Sequence, residues 1–334
     1  MGKINKDKFY KKCIEISLLI LILIIVNLVN NIKTQAPLRI SLINDEKIYI
    51  LPEENSEIYK LIDKAKQNID ITIYMLSDKE IKNKLIEKQK NGINVRIIIE
   101  QSPFGGGSVN YKTKSELTSY GINIKYANPN FSLTHAKYII IDKKEALIMT
   151  ANLTHSGLYD DRDFAVYEDE KEMIDELNNL FEKDFSYKKY YTSNNNLIIS
   201  PNNSRLKIES LINASTKNIK MYAENIDDKA IVDILINKIK NGIAVNIIVP
   251  DSKKIESNTE MINKLHDNGA IITYLKKPYQ HAKVLIIDDK IAYIGSINFS
   301  RQSMEENREV GIITINTNII NKVINTFEKD SKIR

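Results

Sequence analysis

Two stretches of the chain carry the same spaced set of reactive side chains. In the first, His135 and Lys137 are followed by Asp142, Thr150 and Asn152; in the second, His281 and Lys283 are followed by Asp288, Ser296 and Asn298. An acidic residue stands 28 positions after each histidine, Asp163 and Glu309. Along a strand, His and Lys at i and i+2 share a face, so an imidazole would stand beside an ammonium. Imidazole is a competent nucleophile near neutral pH and splits one hard displacement into two easier ones. Lysine and asparagine can hold non-bridging oxygens as charge redistributes at phosphorus. A second imidazole can protonate the leaving oxygen and later deprotonate the incoming water or alcohol. A carboxylate on the other ring nitrogen would fix tautomer and orientation. One histidine cannot conveniently serve both sides of an in-line displacement, which accounts for two copies. Either His-x-Lys alone would read as a surface strand; the pairing is what carries the chemistry. His155 and His266 lack the motif and read as exposed loop or helix residues.

The copies belong to a longer duplication. IDITIYML (69–76), NGINVRIII (91–99), GINIKYA (121–127) and THAKYIIIDKKEALIMTANLT (134–154) recur in order as IKMYAE (219–224), NGIAVNIIV (241–249), GAIITYL (269–275) and QHAKVLIIDDKIAYIGSINFS (280–300). Chance could supply one such match, not four in order. Apolar residues recur at helical spacing over 56–68 and 78–91. The runs at 69–76, 95–99, 138–141 and 146–149 are short, continuous and rich in branched residues, so they read as buried strands. Strands alternating with helices predict an α/β unit with a largely parallel sheet covered on both faces. Asp142-Lys143-Lys144 and Asp288-Asp289-Lys290 read as tight turns between paired strands. The polar, asparagine-rich stretch 186–196 is the natural linker, with Pro201 just beyond it.

This duplicated His-x-Lys-x4-Asp block, followed in the second copy by Gly295-Ser296-Ile297-Asn298, resembles the phospholipase D superfamily. The resemblance covers about residues 45–330. It implies two α/β/α sandwich units related by a pseudo-twofold axis, with one active site at their interface. It also implies catalysis without metal or other cofactor, through a phosphohistidine. His135 would be the nucleophile and His281 the general acid. Asp142 and Asp288 would support the motif structurally without touching phosphate. The first copy departs from the pattern: Met149-Thr150-Ala151-Asn152 stands where the second has Gly295-Ser296-Ile297-Asn298. Threonine keeps the hydroxyl, but Met149 is expected to add bulk near the site. All six His, Lys and Asn residues are retained, so a variant site is expected, not a dead one.

The formal net charge is +5, and residues 1–12 hold five lysines against Asp7. The remainder is close to neutral, which argues against a strong polyanion-binding body. An apolar run, IEISLLILILIIVNLV (14–29), follows the lysines directly. Its length with flanking residues is enough to span a bilayer, and no small-x-small cleavage pattern follows. An uncleaved signal anchor is therefore preferred to a cleaved peptide, with the lysines cytoplasmic and the body outside the cytoplasm. The single cysteine, Cys13, excludes an intrachain disulfide and argues against a cysteine-based metal site. The expected division is a basic terminus at 1–12, a transmembrane anchor at 13–31, a first catalytic unit at 38–187, a linker at 188–197 and a second unit at 198–334. Phospholipid is the expected substrate and the membrane the expected partner, by headgroup hydrolysis or transfer. A single predicted span lowers the cardiolipin synthase reading relative to a generic lipase, because such synthases commonly carry two. A nuclease of the same superfamily, acting on nucleic acid, is the second reading, and a noncatalytic binding module with a decayed site the third. Asn152 and Asn298 also match glycosylation sequons, a weaker explanation than their place in the duplicated block. Gly105–Gly107 would either cradle phosphate or form a flexible loop, and Arg162 and Arg308 would face either substrate or solvent.

Overall fold

The computed structural model describes residues 40, 46–192, 194–251 and 258–333. The expected anchor at 13–31 and its basic flank lie outside these residues. Among the described residues no helix is long and apolar enough to cross a membrane.

The first repeat runs β1 (Lys47–Leu51), α1 (Ser56–Lys64), β2 (Asn68–Ile73), α2 (Lys79–Lys90), β3 (Asn94–Ile99), α3 (Val109–Ser119), β4 (Asn123–Tyr126), β5 (Tyr138–Ile141), β6 (Glu145–Met149), α4 (His155–Tyr159), β7 (Asp161–Glu168) and α5 (Lys171–Phe185). The second runs β8 (Leu197–Ser200), α6 (Ser204–Ala214), β9 (Asn218–Ala223), α7 (Lys229–Lys240), β10 (Ala244–Pro250), α8 (Thr259–Asp267), β11 (Ile271–Leu275), β12 (Tyr279–Gln280), β13 (Lys283–Ile287), β14 (Ile291–Gly295), α9 (Arg301–Glu305), β15 (Glu309–Thr314) and α10 (Thr317–Asp330). The first sheet has the order β1-β7-β6-β5-β2-β3-β4, and the second repeats it as β8-β15-β14-β13-β9-β10-β11.

The sheets are mixed, which corrects the expectation of a largely parallel one. Along each sheet's main path β2, β3 and β4 (and β9, β10 and β11) run parallel, while β5, β6, β7 and β1 pair antiparallel with their neighbours on that path. The cause lies in the turns. Asp142 and Lys143 have φ of 52° and 56°, and Asp288 and Asp289 have 53° and 57°, the left-handed pair that a tight hairpin requires. A chain reversed in two residues can only pair antiparallel.

Each turn aspartate also pins its hairpin to the start of the adjacent strand. Asp142 accepts from the backbone N–H groups of Lys66, Gln67 and Asn68 at 2.9, 2.7 and 2.8 Å. Asp288 accepts from Thr216, Lys217 and Asn218 at 2.9, 2.7 and 3.1 Å. Partial burial raises both carboxyl pKa values, but the amide donors, joined at Asp288 by the Thr216 hydroxyl, outweigh it and hold them below the usual range.

Residues of Arg39–Arg334 pack as one unit. The inner faces of both sheets share a core with α5 and α10, including Tyr138, Phe164, Leu177 and Phe181 from the first repeat and Tyr222, Val284, Val323 and Phe327 from the second. A separate core under α1 and α2 covers the other face of the first sheet. Burying apolar surface between the repeats holds the two sheets together, and so fixes whatever lies where their edges meet.

Candidate active site

The backbone just before each motif strand is stitched to the other repeat. His135 and Ala136 donate their N–H groups to the carbonyl of Arg308 at 2.8 and 3.0 Å, and Arg308 N–H returns to Leu133 at 2.8 Å. Reciprocally, Tyr279 N–H donates to Asp160 at 3.0 Å and His281 N–H to Arg162 at 3.3 Å, with β12 laid parallel to β7. One residue further along each receiving strand stands the acidic group. Asp163 therefore lies beneath His281, its carboxylate 2.8 and 3.0 Å from Nδ1. Glu309 lies beneath His135, 3.0 Å from Nδ1. The acid that follows each histidine at 28 positions thus stands against the histidine of the other repeat. A carboxylate at Nδ1 makes that nitrogen the N–H donor and leaves Nε2 as the working atom.

Both Nε2 edges serve one pocket of about 350 Å³, lined by His135, His281, Asn152 and Asn298 together with Tyr74, Glu224, Asn225 and Asn307. Neither Asn152 nor Asn298 ties up its carboxamide within the described residues, although each Oδ1 is buried. The lysines lie under this surface. Lys137 and Lys283 are fully buried. Lys137 Nζ donates to the carbonyl of His135 at 2.7 Å, and Lys283 Nζ donates to that of His281. Lys283 also sits 2.5 Å from a carboxylate oxygen of Glu224. Their charge thus reaches the pocket from beneath.

Thr150 donates its hydroxyl to Asp163 and accepts from Phe164 N–H at 2.9 Å, so it orients the carboxylate behind His281. Ser296 accepts from Val310 N–H at 3.1 Å. Met149, expected to crowd the site, is instead buried in the outer core beside Leu147 and Ala151. The second repeat fills that space differently. Gly295 pairs across the sheet with Gly311, and a Cβ on Gly295 would meet Gly311 Cα at 2.4 Å and the Tyr293 hydroxyl at 2.9 Å. The equivalent pair in the first copy is Met149 and Ala165; in the second, the Tyr293 ring lies against both glycines. The departure from the motif is a repacked core, and the pocket walls exclude it.

The two imidazoles differ electrostatically. His135 is pushed below the ordinary imidazole value by burial and then by Lys137, with Glu309 opposing. For His281 burial is again the largest influence and lowers the value, but Asp163 and Glu224 together outweigh it and the net shift is upward. Lys137 is lowered to about 7, by burial first and then by repulsion from Lys283. Glu224 is held well below the carboxylate range: burial raises it, and the charges of His281 and Lys283 overcome that. Asp161, next to the supporting acid, is raised to about 6 by burial and by Asp163.

Asp161, Asp163 and His281 bring ligand-type atoms within 4.8 Å of one another. Within it, both oxygens of Asp163 already face Nδ1 of His281. The group fits an imidazole backed by charge better than a metal cage.

Other residues fall into place outside the chemistry. Arg162 and Arg308, expected at substrate or solvent, are buried cross-braces. Arg162 of the first repeat bonds Asp330 of the last helix at 2.8 Å, and Arg308 pairs with Asp184 of α5 at 3.1 Å. None of Gly105–Gly107 lines the pocket; the preceding Phe104 does, and its N–H is given to the Tyr74 hydroxyl at 2.5 Å. His155 and His266 are exposed. Sequence reasoning missed Tyr74, Glu224 and Asp161. Aligning the repeats places Tyr74 against Glu224 at the ends of IDITIY and IKMYAE, a visible but uninterpreted difference.

Against known proteins, the family described as "Cardiolipin synthase, PLD-like domain" matches residues 58–185 and 208–331. A polyphosphate kinase of Vibrio parahaemolyticus is 26% identical over 73% of the chain, and the chain spans only 37% of that protein. A cardiolipin synthase of Clostridium perfringens is 24% identical over 99% of the chain and 78% of its own length. Among solved structures, phosphatidylserine synthase of Haemophilus influenzae superposes with a TM-score of 0.66 at 15% identity, covering 85% of both chains, which speaks for the fold. With both repeats matched and the strand order duplicated, the chain belongs to the phospholipase D superfamily, in its cardiolipin synthase and PLD-like domain family.

Proposed function

We propose that this chain is a phosphatidyltransferase or phospholipase D-like phosphodiesterase, exchanging or hydrolysing a phospholipid headgroup through a phosphohistidine. The observation that carries this reading is the exchanged support: two imidazoles, each tied at Nδ1 to a carboxylate of the other repeat, present Nε2 to one pocket. The reach of the Clostridium perfringens cardiolipin synthase across nearly the whole chain favours lipid over other phosphodiesters.

In the first step the lone pair of His135 Nε2 attacks phosphorus. The bond to the headgroup oxygen breaks, and that oxygen takes the Nε2 proton of His281. In the second step water or an alcohol gives its proton to neutral His281 and its oxygen attacks phosphorus, breaking the P–N bond. Lys137 and Lys283 supply positive charge beneath the non-bridging oxygens, and the amide groups of Asn152 and Asn298 supply donors beside them. Asp163 and Glu309 hold the ring tautomers and stabilise each imidazolium as it forms. Residues 13–31 would anchor the body beside its substrate, outside the cytoplasm.

The test compares the full chain with its His135→Ala and His281→Ala variants on vesicles of labelled phosphatidylglycerol and on DNA, with chelator present. Headgroup release by the wild type that both substitutions abolish is the expected result. His135-dependent cleavage of DNA with no lipid turnover would replace this reading with the nuclease one.

A further inference from the structure

The two repeats place different side chains at the strand end that faces each histidine. Tyr74 follows β2, and its ring stands edge-on to the His135 imidazole, centroids 4.6 Å apart and planes at 74°. Glu224 follows β9 at the equivalent position. Its carboxylate reaches Lys283 Nζ at 2.5 Å with one oxygen and lies 3.6 Å from His281 Nε2 with the other. The first repeat thus gives its histidine an uncharged aromatic neighbour, and the second gives its histidine a charge.

We propose that Glu224 is the positioning residue that makes His281 the proton-donating histidine of the site, breaking the symmetry that duplication would otherwise leave. This rests on the phosphohistidine reading above. At 3.6 Å the carboxylate is beyond hydrogen-bond reach of Nε2, so it does not hold the proton that must go to the leaving oxygen. It is close enough, in a buried setting, to stabilise the imidazolium.

The balance of charged groups around the two rings favours the same assignment. His281 faces Asp163 and Asp161 from β7 and Glu224 from the end of β9, against Lys283 from β13; its value is raised. His135 faces Glu309 from β15 and feels Glu224 less strongly than His281 does, with Lys137 on its own segment and Lys283 opposing, and Tyr74 contributes no charge; its value is lowered. Tyr74 itself stays neutral, because burial raises its hydroxyl further. The first ring is therefore biased toward the neutral form that attacks phosphorus, and the second toward the protonated form that serves the leaving group. In the reaction, His281 Nε2 gives its proton to the departing alkoxide oxygen as the P–O bond breaks, and Glu224 remains ionised throughout.

The discriminating experiment uses leaving groups of different need. The full chain, its Glu224→Gln and Glu224→Asp variants, and His135→Ala are assayed on phosphatidylglycerol and on phosphatidyl-4-nitrophenol. Glycerol departs only with a proton, whereas nitrophenolate departs without one. For Glu224→Gln, release of glycerol should fall by about tenfold to a hundredfold while the nitrophenol burst stays within about threefold of wild type. The alkaline limb of the glycerol-release profile should move to lower pH, and Glu224→Asp should recover most of both effects. Equal losses on the two lipids, no loss on either, or an unmoved alkaline limb would overturn the proposal. If no His135-dependent turnover of either lipid occurs in the wild type, the parent reading fails, and this inference falls with it by a separate result.

Discussion

Asp163 and Glu309 illustrate how much a single residue depends on its partner across the molecule. Each follows its own histidine in sequence yet serves the other, because His281 and His135 are stitched by backbone bonds to the strands that carry Arg162 and Arg308. Replacing Asp163 by Asn removes the charge that most strongly supports protonated His281, so turnover of lipids with alkyl leaving groups should fall by about 10²–10⁴-fold. The sign of the pH dependence follows from the two shifts. As the proposed nucleophile His135 must be neutral to attack, so activity should be lost as pH falls through its lowered value. As the proposed acid His281 must be protonated to donate, so activity should be lost as pH rises through its raised value. The kcat/KM profile should be a broad bell. Asp163→Asn should bring its alkaline limb down, whereas Glu309→Gln should move its acid limb to lower pH. The types and spacing of the reactive residues were legible in the chain, since duplication marks them twice. Their pairing was not, because a spacing of 28 says nothing about which repeat the carboxylate faces.

At the scale of elements, the hairpins decide what the strand alternation could not. Ile- and Val-rich runs read as buried strands whether parallel or antiparallel, so periodicity alone suggested a parallel sheet. The left-handed pairs Asp142–Lys143 and Asp288–Asp289 show why β5–β6 and β13–β14 turn back instead. The motif glycine tells a related story. From sequence, Met149 in place of Gly295 suggested a crowded pocket, but a side chain's direction depends on its strand partner, which sequence spacing does not state. Gly295 lies against Gly311 under Tyr293, leaving no room for a Cβ. Gly295→Ala should therefore destabilise the fold by about 1–3 kcal/mol, measured as a fall in the urea midpoint. Met149→Leu, in a core of matching volume, should cost less than about 1.5 kcal/mol and leave turnover unchanged.

Across the whole molecule, the repeats form one site because they share one core and two reciprocal buried braces. Arg162 reaches Asp330 in α10, and Arg308 reaches Asp184 in α5. Both arginines stand one residue before a supporting carboxylate, so the braces that join the repeats also set the depth at which Asp163 and Glu309 meet the histidines. Arg162→Met strands Asp330 as a buried charge and should destabilise by about 3–5 kcal/mol, with a parallel loss of activity at temperatures where the variant is still folded. The near-neutral body, outside the lysine-rich residues 1–12, fits a site whose positive charge is concentrated under one small pocket. The central claim is that this pocket forms a covalent phosphohistidine on one histidine of the pair. It is tested most directly by mixing the full chain with phosphatidyl-4-nitrophenol, quenching under alkaline conditions during the burst and mapping the adduct by peptide mass. A phosphatidyl group is expected on the peptide containing His135, and none when His135 is replaced by Ala. An adduct on His281, or steady turnover with no adduct on either histidine, would contradict it.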